Sequence, residues 1–293
     1  MGKKLTIFLI DGLATGPRTI EIGNWSGKAI YSQRSSLSKI MDRGELDRPG
    51  VYILKSIPSS ESFTERIYIG EAENVKNRLK AHLSNSEKDF VEFVAFISKD
   101  EMLTKAHIKY LESKIITFAR EAKSAEIDND KNPELPSLHE ADRSDMEYYL
   151  EQIKLILPVV NFMFLAPSVY KNVDQNDKQI TEDSKMYYLK SKSAEAMLLE
   201  TEEGFIVLEN SQCLKQVQSS LSEGYRKLRE RLIETKVLID DGTMLVFKEN
   251  AIFSSISAAA AVILGRSAAG PIEWLDSEGI TYKQNQERKY NSL

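Results

Sequence analysis

Apolar and polar positions alternate with a period of two early in the chain and recur at helical spacing later, so the sequence divides into readable segments. Thr6–Ile10 reads as a strand, Asp11-Gly12 opens a turn, and Thr19–Ile22 and Ala29–Tyr31 supply further short strands. Together they predict a β-rich N-terminal extension over residues 1–47, with one helical segment at Ser35–Met41 before Pro49. Val51–Lys55 and Glu65–Gly70 are strand-like. The turn-rich link between them is too short for a helical crossover, which predicts an antiparallel pair. A helix starts near Asn74, with Val75, Leu79 and Leu83 at i, i+4 and i+8. Asp89–Ser98, rich in Phe and Val, is a third strand, and Glu101–Ala122 is a long helix. Lys123–Pro136 is polar, contains two prolines and reads as a loop. A second helix begins near Ser137, where Ser137-Leu138-His139-Glu140 has capping-box spacing, and ends by Pro158.

A polar run, Asn172–Ser184, marks a linker over residues 169–184 and sets off a unit at 185–293. Met186–Leu189, Glu195–Glu200 and Gly204–Leu208 read as strands there and Leu214–Thr235 as a helix. Val237–Phe247 reads as a hairpin around Asp240-Asp241-Gly242, and Ser257–Leu264 as a helix of small residues. Trp274 to Tyr282 is expected to end the fold. This order of elements predicts an α+β chain with no internal repeat.

Composition changes this picture little. With 293 residues, 42% hydrophobic and 28% charged, the chain is expected to form two or three globular domains. Apolar runs such as Ala258–Leu264 are too short to span a bilayer, and the apolar stretch ended by Asp11 predicts no signal peptide. The single cysteine, Cys213, reads as a small buried hydrophobe and fits a reducing, cytoplasmic setting. A net charge of −5 means that nucleic acid would be held through local patches, with strong salt dependence. A protein partner or homo-oligomer is compatible with the sequence, which holds nothing in support of one.

Chemistry concentrates between residues 50 and 112. On the long helix, Ile108, Leu111, Ile115, Ile116, Ala119 and Ala122 form one apolar arc, and Glu112 falls inside it. A carboxylate turned toward a core requires a cation, either a basic side chain such as Arg78 or a metal ion. Arg78 and His82 lie i, i+4 on one side of their helix, giving a planar phosphate-binding fork and a proton carrier active near neutral pH. His107 and His139 read as surface residues. Tyr52 and Tyr68 lie on the paired strands, where two phenols can share a face or serve as ordinary half-buried sheet residues.

The ordered set decides between these readings. Gly50-Val51-Tyr52, Tyr68-Ile69-Gly70, the run Glu71 to His82 with Asn74, Arg78 and His82, and Lys105 to Glu112 together resemble the GIY-YIG endonuclease family. The resemblance covers residues 48–168 and implies a small three-stranded antiparallel sheet flanked by helices. It also implies one divalent metal, Mg2+ or Mn2+, bound by Glu112. Tyr52 is then expected to activate the attacking water, His82 to assist it, Tyr68 to position the phosphate and Arg78 to stabilise developing charge. An Asn beyond the glutamate often supports the family's site. None stands in Ala119–Ser124; of Asn129, Asn132 and Asn161, Asn132 is the choice made from sequence.

The segment from Phe253 to Ser267, with Gly270 and Trp274, resembles a domain of unknown function often found behind such modules. Arg226, Lys227, Arg229 and Arg231, with Arg266, could touch phosphates there or form a solvated basic helix face. The expected function is metal-dependent hydrolysis of DNA phosphodiesters in restriction, defence or repair, with the C-terminal domain as candidate recognition module. The alternative is a DNA-binding or assembly protein with a weak or silent nuclease site.

Overall fold

A computed structural model describes residues 2–59, 63, 65–84, 89–100, 102–130, 133–166, 169–170, 185–190, 194–201 and 204–291. Alternating apolar residues build β1 (Leu5–Leu9), β2 (Arg18–Ile22) and β3 (Gly27–Gln33). Two 3-10 helices, Arg34–Lys39 and Gly44–Asp47, lead into β4 (Gly50–Ser56), β5 (Arg66–Ala72), α1 (Val75–Ser84) and β6 (Glu92–Ser98). Then follow α2 (Lys105–Ala122), β7 (Glu126–Ile127) and α3 (Glu140–Ile156). Among the described residues these strands form one sheet of order β1-β2-β3-β6-β4-β5-β7, antiparallel except between β5 and β7.

The expected three-stranded sheet is therefore the centre of a seven-stranded one. Residues 1–47 build onto it because β3 pairs along all of β6, from Gly27 opposite Ser98 to Gln33 opposite Glu92. Register then assigns the two faces. Val51, Ile53, Ile67, Ile69, Val94 and Phe96 point to a core closed by α2 and α3. Tyr52, Leu54, Ala72, Phe93, Ala95 and Ile97 point to the opposite core, closed by Val75 and Leu79 of α1.

Local chemistry shifts several expected boundaries. The long helix starts at Lys105 rather than Glu101, because Thr104 caps it: its side chain accepts from the His107 amide while the His107 ring meets the Thr104 amide. His107 is thus a capping residue. The Ser137 capping box does not form; α3 begins at Glu140 behind His139. Lys123 adopts a left-handed conformation (φ 53°) at the end of α2, and this reversal returns the chain as β7 beside β5, inside a segment expected to be loop.

The chain divides into two compact units, Met1–Ser60 with Thr64–Ala166, and Glu61–Phe63 with Pro167–Leu293. The second contains β8 (Val169–Tyr170), β9 (Lys185–Lys190), β10 (Glu195–Thr201), β11 (Gly204–Val207) and β12 (Gln212–Cys213). After these come α4 (Glu223–Glu234), β13 (Leu238–Asp240), β14 (Leu245–Phe247), β15 (Asn250–Phe253), α5 (Ile256–Leu264), α6 (Gly270–Glu273) and α7 (Tyr282–Asn291). A sheet of order β8-β15-β11-β10-β9 and a small one of order β12-β14-β13 accompany α5, whose residues Ala258–Leu264 are all buried. Gly265 ends α5 at φ 63°. The helix expected over Leu214–Thr235 forms only from Glu223, and α7 follows Tyr282, where the fold was expected to stop. The linker run Asn172–Ser184 lies outside the described residues. Among the described residues, no helix is long and apolar enough to cross a membrane.

Candidate active site

The two tripeptides face each other. Tyr52 pairs with Gly70 and Leu54 with Tyr68, so both tyrosines project from one face as diagonal neighbours, ring centroids 6.2 Å apart. Each glycine answers a close approach. A Cβ on Gly50 would lie 2.5 Å from the Phe96 carbonyl oxygen, and one on Gly70 would collide with the Tyr52 hydroxyl. The glycines let β4 sit against β6 and let the Tyr52 ring lie flat across β5.

Helix α1 supplies the next groups. Its buried residues are Val75, Leu79 and His82, while Leu83 is 38% exposed. The apolar stripe expected to run to Leu83 therefore stops at Leu79, and the helix turns its imidazole inward. His82 Nε2 lies 2.8 Å from the Tyr52 hydroxyl, and the Arg78 Nε–H donates to the same oxygen at 3.1 Å. The His82 ring sits 5.4 Å from Tyr52 and 5.6 Å from Tyr68. Tyr52 is 1% exposed, whereas Tyr68 is half-buried and faces outward from the same cluster. Burial, then the neighbouring Tyr68, push the Tyr52 phenol well up, and Arg78 opposes them. Tyr52 is therefore a neutral phenol that can accept from Arg78 and hand its own hydrogen to His82.

Glu112 approaches from the other face, where α2 packs over Ile67 and Ile69. It is half-buried in the apolar arc, and its carboxyl is raised to about 7, first by burial and then by the like charge of Glu71. The Glu71 backbone amide, Arg78 and Lys109 pull in the opposite direction. The structure thus brings Glu112 within the field of Arg78 but forms no ion pair between them.

The edge of β5 explains how the two faces meet. β7 pairs with β5 only at Arg66 and Ile67. Along that edge Glu126 donates to the Glu65 carbonyl at 3.1 Å and Asp128 to the Ile67 carbonyl at 2.8 Å. The next position, Ile69, gives its N–H to Asn129 Oδ1 at 3.0 Å and accepts from Asn129 Nδ2 at 2.8 Å. Beyond it, the Glu71 amide lies near enough to Glu112 to favour its charged form. One side-chain amide thus stands in for a strand residue against the middle of Tyr68-Ile69-Gly70. Asn132, the choice made from sequence, lies outside the described residues. Asn161 occupies a left-handed turn (φ 61°) after a 3-10 helix and accepts from Lys55 Nζ at 2.7 Å through its carbonyl.

A family model described as the GIY-YIG catalytic domain matches residues 48–127. This chain carries a GIY-YIG catalytic domain. A model described as a domain of unknown function (DUF4357) matches residues 187–286 behind it. No curated protein and no solved structure matches the chain. The GIY-YIG domain points to a nuclease, with DNA as the implied substrate.

The structure brings Tyr52, Tyr68, Arg78, His82 and Glu112 of the GIY-YIG domain together around β5. The basic residues of the second unit are differently employed. Arg229 is buried, donating to Cys213 Sγ at 3.0 Å and to the Val262 and Leu214 carbonyls. Arg226 stands 3.8 Å from Glu223, and Arg266 donates to Glu273 at 2.8 Å. Arg231 has a buried Nε–H without a hydrogen-bond partner and is held below the usual arginine range by burial. Arg229 is thus a core clasp, and the helix does not present its arginines as one solvated basic face.

Proposed function

We propose that the protein is a metal-dependent endonuclease that hydrolyses DNA phosphodiester bonds. The observation that carries this reading is the Tyr52–His82–Arg78 cluster: one phenol oxygen within hydrogen-bond reach of a buried imidazole and an otherwise exposed guanidinium. His82 accepts the Tyr52 proton as the Tyr52 oxygen takes one from the attacking water, so the imidazole serves as the general base through the phenol. Arg78 covers the Tyr52 oxygen in the free protein. Turning onto a phosphate, it uncovers the phenol and stabilises the charge that develops on the phosphoryl oxygens. Tyr68, the more exposed phenol, positions that phosphate.

Glu112 fits a hard divalent cation: it is a half-buried oxygen donor that engages no ion pair among the described residues, at an open strand edge beside the cluster. Glu112 would hold Mg2+ or Mn2+ there, and the ion would supply charge neutralisation for the phosphoryl group and the leaving oxygen. The deciding experiment incubates the full chain with supercoiled, linear and single-stranded DNA and either ion, beside Glu112→Ala. Metal-dependent cutting by the wild type alone supports the reading. Equal inertness of both proteins on all three substrates sinks it for DNA.

A further inference from the structure

We propose that Glu71 is a second carboxylate ligand, beside Glu112, for the divalent cation of this site. The inference rests on the metal-dependent reading above. It starts from register. Along β5, Ile67, Ile69 and Glu71 share one face, the face over which α2 lays its apolar arc. Glu112 lies within that arc, near enough to β5 that the Glu71 backbone amide favours its charged form while the Glu71 carboxylate opposes it. The two carboxylates, one from α2 and one from β5, therefore approach one another on one side of the sheet, beyond the last pairing of β5 with β7 among the described residues.

Neither carboxylate engages an ion pair among the described residues, although Lys and Arg side chains are plentiful nearby. Glu73, just past the end of β5, shows the ordinary alternative: it pairs with Lys105 at 3.1 Å. Lys76 likewise goes to Asp47 at 3.0 Å, away from the site. Two carboxylates held together without a countercharge repel one another. A hard cation with oxygen ligands relieves that repulsion. Mg2+ is commonly held by one or two carboxylates, the remaining positions going to water and substrate phosphate. Arg78, whose Nε–H donates to the Tyr52 oxygen, then stays available to the phosphate instead of neutralising the acid pair.

The test is Mn2+ binding, followed by loss of the free-ion EPR signal and by calorimetry at pH 8. The proteins compared are the full-length wild type, Glu112→Gln, Glu71→Gln, Glu71→Asp and Glu73→Gln. Thermal melts without metal establish that each variant is folded. Expected results are one Mn2+ per wild-type chain and affinity weakened about 10–100-fold in Glu71→Gln and at least as much in Glu112→Gln. Glu71→Asp recovers part of the loss, and Glu73→Gln binds as wild type does. Wild-type affinity in a folded Glu71→Gln overturns the ligand assignment while leaving Glu112 and the nuclease reading standing. Weakened binding in Glu71→Gln, with no DNA cut by the wild type, upholds the ligand and removes the nuclease. No Mn2+ bound by the wild type overturns the second ligand together with metal dependence.

Discussion

Replacing Glu112 by Gln should stabilise the metal-free protein at pH 8 and leave it unchanged near pH 4.5. The ordinary carboxyl value is 4.5, and in the folded protein burial and the Glu71 charge raise Glu112 to about 7. The native state therefore binds this proton more tightly than the unfolded chain does. Between those two pH values it holds more protons, so stability falls as pH rises and the deficit is complete above pH 7. The gap corresponds to roughly 3 kcal/mol at about 1.4 kcal/mol per factor of ten, and solvent screening of a half-exposed carboxylate reduces this to about 1–2 kcal/mol. Glutamine keeps the shape and cannot ionise, so it escapes the deficit. Arg78 and Lys109 lose their attraction to the charged form, which works against the gain and is already included in the raised value. For a unit of this size the expected rise in Tm at pH 8 is about 2–8 °C. Calorimetric melts of both proteins in chelator, from pH 4.5 to 8.5, give the difference directly, because every other titrating group cancels. A variant less stable than wild type at pH 8 would refute the reasoning. It would mean that Glu112 makes a stabilising ion pair and that its place in the apolar arc is structural.

Tyr52→Phe removes the oxygen shared by Arg78 and His82, so DNA cutting should fall at least about 100-fold; a plasmid-nicking rate near wild type would rule the phenol out of the proton path. Gly70→Ala drives a methyl into the Tyr52 hydroxyl and should cost about 1–3 kcal/mol by urea unfolding, with cutting lost as well; an unchanged midpoint would mean that the ring can retreat. Asn129→Ala leaves the Ile69 amide and carbonyl without their partners, at about 1–3 kcal/mol, and hydrogen exchange at Ile69 should accelerate while that at Ile53 on β4 does not. The Cys213 thiol is pushed up to about 11 by burial, against the pull of Arg229, so a thiol reagent at pH 8 should label it only after unfolding; prompt labelling of the native protein contradicts the buried clasp.

What the sequence disclosed and what it hid follow from the range of the forces involved. Strand alternation and helical phase are local, and they located β4, β5, β6, α1 and α2, as well as the inward turn of Glu112. Two phenols on one face also follow from alternation once the strands pair, and the register of Tyr52 opposite Gly70 realises it. The inward turn of His82 was less legible, because Leu83 completes the apolar spacing on paper. In the folded chain His82 is buried against the Tyr52 hydroxyl and Leu83 is left exposed. β7 escaped for a different reason. Two residues carry no periodicity, and its only cause is the left-handed reversal at Lys123 that sets it parallel to β5. In the second unit, the polar and mixed residues from Lys215 to Ser222 continue a helical pattern. Yet the Leu214 and Lys215 carbonyls are committed to Arg229, which a helix would have claimed for itself.

The same contrast bears on how a short motif comes to carry a site. Gly50-Val51-Tyr52 is enclosed on both sides, by β5 and β6, and its geometry is fixed by sheet pairing alone. Among the described residues Tyr68-Ile69-Gly70 is paired with a strand on one side only, since β7 ends at Ile127, opposite Ile67. An unfinished edge leaves backbone donors and acceptors to be satisfied. Here a side chain continues it: Asn129 takes both groups of Ile69, and Glu112 lies near the Glu71 amide beyond. Had β7 continued in register for four more residues, its backbone would have lain beside Glu71, where Glu112 approaches. The carboxylates would then have been covered or displaced. The interrupted edge is therefore what admits a carboxylate from the α2 face to a cluster built on the α1 face, and Asn129 keeps that edge straight without closing it.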